Sequence, residues 1–200
     1  MRSLEDYRTA LIIIGLVGIL LCASPSLALI VSKFPGGQGF SRLWILDAEH
    51  TAEKYPFNVK SDETYQVYVG VGNQMRSLAY YVVYAKFKNQ DEPLPNSATG
   101  TPSPLEPLYE YRLLLQDGEI RETPVSFSFS GVLFSNNESL VEIIRINNVE
   151  FNVNKLNSWN VNKTGYYYHL FIELWIYDVE IETLQFGNCS VGIPLNMTSL

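Results

Sequence analysis

The sequence predicts an all-β domain, most simply a β-sandwich, and three observations carry that prediction. Short apolar runs recur from residue 42 to residue 186, several of them alternating with polar residues at period two. Clusters of Gly, Pro, Asn and Asp separate them about every 8 to 12 residues. No amphipathic pattern long enough for a helix of a dozen residues interrupts the series. A barrel is the alternative architecture, and the pattern leaves the two open.

The first run is Arg42 to Asp47 (RLWILD). Tyr65 to Val71 follows and places Tyr65, Val67, Val69 and Val71 on one face; Leu78 to Phe87 comes next, across a GNQMRS link that reads as hairpin-like. Residues 88–107 hold five of the ten prolines and no regular element, so a long exposed loop is expected there. Leu108 to Leu115 is the next run, closed by a turn at Gln116-Asp117-Gly118-Glu119. From Val125 onward, Val125, Phe127 and Phe129 alternate with Ser126, Ser128 and Ser130, the sharpest strand signal in the chain, with one dry and one wet face. Leu140 to Ile146 and Val149 to Lys155 are joined by Asn147-Asn148, a two-residue link whose turn needs positive φ, which Asn tolerates. Tyr166 to Tyr177 and Glu180 to Phe186 complete eight or nine expected strands.

Composition explains what precedes this domain. The 200 residues are 46% hydrophobic and only 18% charged, against about 25% charged in ordinary soluble domains. Residues 9–31 form an uninterrupted stretch of 23 without Asp, Glu, Lys, Arg or His. As a helix it would extend about 34 Å, enough to cross a hydrocarbon core of about 30 Å. Pro25 would kink it, and Pro35-Gly36-Gly37 would end it. A cleaved signal peptide, with Leu11 to Leu21 as its apolar region and cleavage near Ala23 or Ala28, is the competing reading; the run is longer than a secretory core requires. The expected organisation is a cytoplasmic head at 1–8, a transmembrane helix at 9–31, a Gly-rich hinge at 32–41 and a β-sandwich at 42–200.

Topology signals are nearly tied, with Arg2 and Arg8 before the span and Lys33 and Arg42 after it. Four acceptor sequons, at Asn137, Asn162, Asn188 and Asn196, all lie beyond the span, where 15 Asn would give roughly two by chance. They favour a single-pass protein of the cell membrane with an extracellular C-terminal domain and N-glycosylation candidates at those four residues. A net charge of −7 with no basic cluster argues against nucleic acid. Cys22 lies in the apolar stretch and Cys189 near the C-terminus, so no disulfide framework or zinc cluster is expected.

The chemistry-bearing residues form no catalytic pattern. Asp47, Glu49 and Glu53 near His50 lack the spacing of a calcium loop, and His169 sits in an apolar run. There is no nucleophile elbow and no phosphate loop. Glu173 with Asp178, or Glu180 with Glu182, are the carboxylate pairs that glycoside hydrolysis would need. No cofactor, metal ion or catalytic residue is expected. The 13 Tyr and 10 Phe serve mainly to fill the sandwich. The adjacent tyrosines Tyr80-Tyr81 and Tyr166-Tyr167-Tyr168 are the candidates for an aromatic binding surface, since neighbours in a strand cannot all face the core.

Phe34-Pro35-Gly36, Trp44-Ile45-Leu46, Tyr55-Pro56, the valine strand Val67 to Gly72 with Asn73, and Tyr80 to Phe87 form a linear pattern. It resembles an archaeal family of membrane-anchored proteins known only as domain of unknown function 1616, most clearly over Phe40 to Phe87 and less tightly over Glu110 to Ser130. The resemblance implies an archaeal surface protein with an immunoglobulin-like outer domain. Family members often place His-Glu after the Asn, where this chain has Gln74-Met75, and commonly carry more than one span. The expected role is binding or scaffolding as an accessory subunit of a larger membrane or cell-surface complex. Its partners would be a protein, the bilayer through 9–31, and a glycan. A surface hydrolase acting on glycan or peptide is the alternative.

Overall fold

The computed structural model describes residues 39–198. The head at 1–8, the apolar segment at 9–31 and the hinge as far as residue 38 lie outside the described residues.

Ten strands make up the described chain: β1 (Phe40–Leu46), β2 (Asn58–Val59), β3 (Thr64–Gln74), β4 (Ala79–Lys88), β5 (Tyr109–Leu115), β6 (Ile120–Ser135), β7 (Glu138–Ile146), β8 (Val149–Ser158), β9 (Tyr166–Asp178) and β10 (Thr183–Met197). They form two five-stranded sheets, ordered β1-β3-β6-β7-β8 and β2-β10-β9-β4-β5. The architecture is therefore a sandwich. Pairing is antiparallel throughout except between β2 and β10. In the first sheet the chain leaves the side of β3 at β6 and moves outward through β7 to the edge strand β8. An immunoglobulin sheet, ordered A-B-E-D, is wound the other way at this point, reaching the edge strand D first and returning to E beside B second.

Period-two alternation sets which side chains fill the space between the sheets. Val67, Val69 and Val71 of β3 and Val125, Phe127 and Phe129 of β6 face Tyr81, Val83, Ala85 and Phe87 of β4 and Leu170, Ile172 and Leu174 of β9, all buried. Ser126, Ser128 and Ser130 on the opposite face of β6 are half-buried, as the alternation predicts. Asn147 and Asn148 take φ of 47° and 67°, the double positive φ of a type I′ hairpin. Asn136 and Asn137, at 49° and 62°, make the same turn between β6 and β7.

Two expectations are corrected. The GNQMRS link is not a hairpin, because β3 and β4 belong to different sheets. Asn73 holds this crossing together: its amide donates to Ser77 O at 2.8 Å and Leu115 O at 2.9 Å, while its carbonyl accepts from Met75 N at 2.8 Å and the Tyr81 hydroxyl at 3.1 Å. All four groups of one fully buried side chain are thereby used, which accounts for an Asn at the end of a valine strand. The last strand also continues far beyond Phe186, resuming after an irregularity at Gly187-Asn188 and running to Met197. Pro194 is tolerated there because the two-residue β2 pairs only with Asn196 and Met197, leaving the adjacent strand edge open.

Trp44 of β1 pairs with Gly70 of β3 and lies flat over it. A Cβ at Gly70 would fall 2.0 Å from Trp44 Cε2, so the indole of the WIL run and the glycine of the valine strand require each other.

Candidate functional site

In the second sheet, even-numbered residues of β4 and odd-numbered residues of β9 point away from the core. This outer face has three parts.

At one end lies a set of aromatic rings. Tyr80 meets Tyr177 edge-on with centroids 6.3 Å apart, Tyr84 meets Trp175 at 5.8 Å, and Trp175 meets Phe186 at 6.0 Å. Register explains the contacts, since Tyr84 pairs with Glu173 beside Trp175, and Trp175 pairs directly with Phe186. Tyr80, Tyr177 and Phe186 border an open groove of about 620 Å³ whose lining also includes Met75, Leu78, Leu114 and Val179.

The middle is closed by the Pro-rich loop, residues 89–108. Lys86 and Glu173 point outward yet are buried, and they form an ion pair at 2.9 Å. Glu173 also accepts from Ser103 N at 2.8 Å and Trp175 Nε1 at 3.1 Å, and Lys86 donates to Ser103 O at 2.9 Å. Ser103 thus presses the loop onto the sheet with its own backbone. The loop's start is fixed to the first sheet, where Asn89 donates to Leu156 O at 3.0 Å, Gln90 to Ser158 O at 3.0 Å, and Glu92 pairs with Lys155. The loop has an irregular backbone and is mostly exposed, and Ser103 is its one buried anchor.

At the far end a smaller recess of about 200 Å³ is lined by His169, Phe171 and Val191 beneath Leu94 and Pro95. Burial, together with the charges of Lys88 and Lys163, pushes the His169 imidazole down to about 4. Burial likewise lowers Lys88, which pairs with His169 across the strands.

The five tyrosines singled out in the sequence divide. Tyr81 and Tyr168 are core residues and take no part in a surface. The Tyr81 hydroxyl bonds Ser41 Oγ at 2.8 Å, and the Tyr168 hydroxyl lies 2.8 Å from Ser139 Oγ and donates to Ser139 O at 2.9 Å, with burial pushing it up to about 12. Tyr80 belongs to the aromatic set. Tyr166 and Tyr167 lie at the opposite end, Tyr166 against Trp159 and Phe134, Tyr167 beside Phe57. Trp175 and Phe186 went unnoticed in the sequence, although the outward parity of Trp175 follows from that of Tyr177.

The carboxylates do not converge. Glu173 is spent on the ion pair, Asp178 lies on the opposite face of β9 and accepts from Glu180 N at 2.9 Å, and Glu182 sits in the exposed β9–β10 turn. Asp47 organises its own loop, accepting from Glu49 N, Thr51 N and Lys54 N at 2.8–2.9 Å; the Thr51 hydroxyl, foremost, holds its carboxyl well below the usual range. Glu49 pairs with Lys54, and His50 stacks on Tyr68. Among the described residues no cluster of His, Cys, Asp and Glu could hold a metal ion. Among them, too, no helix is long and apolar enough to cross a membrane. Cys189 is half-buried and free, with Sγ 3.6 Å from Ser41 O.

Asn137, Asn162 and Asn188 are exposed in turns or at the β10 irregularity. Asn196 is half-buried, with its amide nitrogen donating to Asn58 Oδ1 at 2.9 Å and its carbonyl accepting from Tyr166 N at 3.1 Å.

No family model and no curated protein sequence matches the chain. Among solved structures, a mutant beta-glucosidase from Listeria innocua in complex with laminaribiose is similar at 10% identity and a TM-score of 0.40, over 80% of this chain and 16% of that enzyme. A second structure of beta-glucosidase from Listeria innocua is similar at 9% identity and a TM-score of 0.40, over 81% and 16% of the two chains.

Proposed function

We propose that this protein is a membrane-anchored binding or scaffolding module of an archaeal cell surface, an accessory subunit whose sandwich engages a larger protein partner in the same membrane. In this reading residues 9–31 span the bilayer once and the sandwich faces outward, an immunoglobulin-style module with its own winding. The observation that carries the reading is the aromatic set of Tyr80, Tyr84, Trp175, Tyr177 and Phe186 on a face that the Pro-rich strap leaves uncovered. Aromatic residues are enriched where proteins meet proteins. Tyr80 meets Tyr177 and Tyr84 meets Trp175 edge-on, and Phe186 is tilted against Trp175, which makes a ridged apolar surface in place of the flat ring a sugar stacks upon, so a protein is favoured over a glycan.

The test is affinity capture of the full chain from native membranes in mild detergent, comparing the wild type with Trp175→Ala and Phe186→Ala. A membrane protein retained by the wild type and lost with both variants supports the reading; identical retention by all three removes this face from it. Carbonate extraction with intact mass tests the anchor separately, and a mature N-terminus between residues 24 and 32 would overturn it.

A further inference from the structure

We infer that the protein engaged by the aromatic face presents a basic, apolar segment, whose Lys or Arg side chains meet Asp178, Glu180 and Glu182 while its apolar side chains fill the groove beside Tyr80, Tyr177 and Phe186. The inference rests on the reading of that face as a protein-binding surface.

Strand register places the groove. Ala79 pairs with Leu115, Tyr81 with Ile176, and Thr183 with Asp178, so the β3–β4 link, the end of β5 and the β9–β10 turn lie together at one end of the sandwich. Much of the lining is apolar and open to solvent, with Val179 77% exposed, Leu78 60% and Leu114 58%. Two carboxylates, Asp178 and Glu180, also line it, and no Lys or Arg does. Apolar exposure alone does not mark this end, since Trp159 and Val161 are exposed at the other. The recess at that other end, about 370 Å³ with Phe134, Trp159 and Tyr166 in its lining, has no acid in its wall, and Lys163 stands over the neighbouring Tyr167 ring. Charge sets the two ends apart.

The acids of the groove are arranged to receive a cation. The β9–β10 turn runs Val179-Glu180-Ile181-Glu182, apolar and acidic residues in alternation, and all four are exposed. A turn normally takes polar residues in place of such a Val and Ile. Asp178 accepts from Glu180 N at 2.9 Å with Oδ1, and among the described residues Oδ2 takes no hydrogen bond. Asp178, Glu180 and Glu182 enter no ion pair there either. The nearby cations do not serve them: Arg112 pairs with Glu110 and Arg121 with Glu119, and Arg76 is not in the lining although Met75 and Ser77 on either side of it are. A cation brought against these carboxylates over an apolar wall is screened less than one at an open surface. A neutral or acidic segment seated in the groove would instead leave the carboxylates desolvated and unpaired, which costs affinity.

The test is capture of the partner by the full chain from native membranes in mild detergent, with four forms of the protein: wild type, Phe186→Ala, Glu180→Lys with Glu182→Lys, and, as a charge-matched control at the opposite end, Glu53→Lys with Glu138→Lys. Retention is expected to fall about tenfold or more with the groove reversal and to be unchanged with the control. Zero-length carbodiimide crosslinking of the wild type should join Glu180 or Glu182 to a lysine of the captured protein, identified by peptide mass spectrometry. A partner lost with Phe186→Ala but kept by the groove reversal overturns the basic segment and leaves the aromatic face standing. Loss with both reversals alike assigns the effect to net charge and overturns it too. Retention by Phe186→Ala at the wild-type level removes the aromatic-face reading, and the inference with it. Crosslinks that join Glu180 or Glu182 only to lysines of this same chain would assign the groove to a second copy, and a lipid mass held by the intact wild type and lost with Phe186→Ala would assign it to lipid; either overturns the basic partner.

Discussion

Lys86 Nζ lies 2.9 Å from Glu173 Oε2 on the outer face of the second sheet, and neither side chain reaches solvent because Ser103 of the Pro-rich loop caps both. Two charges taken out of water together are tolerable when every donor and acceptor is matched; one of them alone is not. Glu173→Gln, which leaves Lys86 without its counter-charge, is expected to cost about 3 to 5 kcal/mol in chemical denaturation. The double variant Lys86→Met with Glu173→Leu should recover most of that loss yet release the strap. Amide exchange at Ser103 would then rise in the double variant. An unchanged exchange rate there would mean that the loop is held by its contacts to β8 and not by the ion pair.

The core is tested at β6. Phe127 is 1% exposed and packs against Tyr65 and Phe129, whereas Ser128 points to the other face. Phe127→Ala should cost about 3 to 5 kcal/mol and Ser128→Ala no more than about 0.5 kcal/mol. Urea unfolding of residues 38–200, without the preceding segment, measures both. Similar midpoints would contradict the one-sided burial of this strand.

Much of the sandwich was legible because its strands alternate cleanly and its hairpins carry Asn at positions of positive φ; Val67 to Val71, Val125 to Phe129 and Asn147-Asn148 are the clearest cases. What was not legible depends on sheet membership. Nothing local distinguishes a hairpin link from a crossing, so the role of Asn73 emerges only when Leu115 is brought beside it. Gly187, Gly192 and Pro194 disguised the second half of β10, since breakers are tolerated beside an open edge. The aromatic set was half visible: runs of tyrosine drew attention to Tyr80, but only register joins Trp175 to Tyr84 and Phe186. Lys86 and Glu173 sit at positions whose parity says solvent, and it is the strap that buries them.

His169 makes stability sensitive to mild acid. Its imidazole titrates near 4 in the folded chain, below the ordinary value of 6.5, because burial and the charges of Lys88 and Lys163 oppose protonation. The unfolded chain therefore binds the proton first as pH falls. The contribution is fully present above pH 6.5 and is lost progressively toward pH 4. Since the ring is partly exposed, about 1 to 2 kcal/mol is expected across the window, after allowing for solvent screening. His169→Gln should remove this part of the slope, leaving carboxylate titration at lower pH. Denaturation midpoints at pH 7 and pH 5 that fall equally for the wild type and the variant would show that His169 is not its source.

The four sequons are not equivalent once the chain is folded. Asn137 and Asn162 sit in exposed turns and Asn188 at the exposed irregularity of β10, so each side-chain amide can be reached from solvent. Asn196 differs, because its nitrogen is committed to Asn58 Oδ1 and its oxygen to Tyr166 N, between two paired strands. Attaching a sugar to that nitrogen would break the side-chain contact that reinforces the backbone pairing of the short β2 with β10. Glycopeptide mass spectrometry of the protein from its native membrane should accordingly find glycan on a subset of Asn137, Asn162 and Asn188, with Asn162 foremost because it and its companion Thr164 are both exposed in one turn, and Asn196 bare. An occupied Asn196 would mean that the sugar is added before β2 and β10 pair. Four bare sites would take away the sequence argument for an outward-facing domain and leave its orientation to be fixed by accessibility to protease in sealed vesicles.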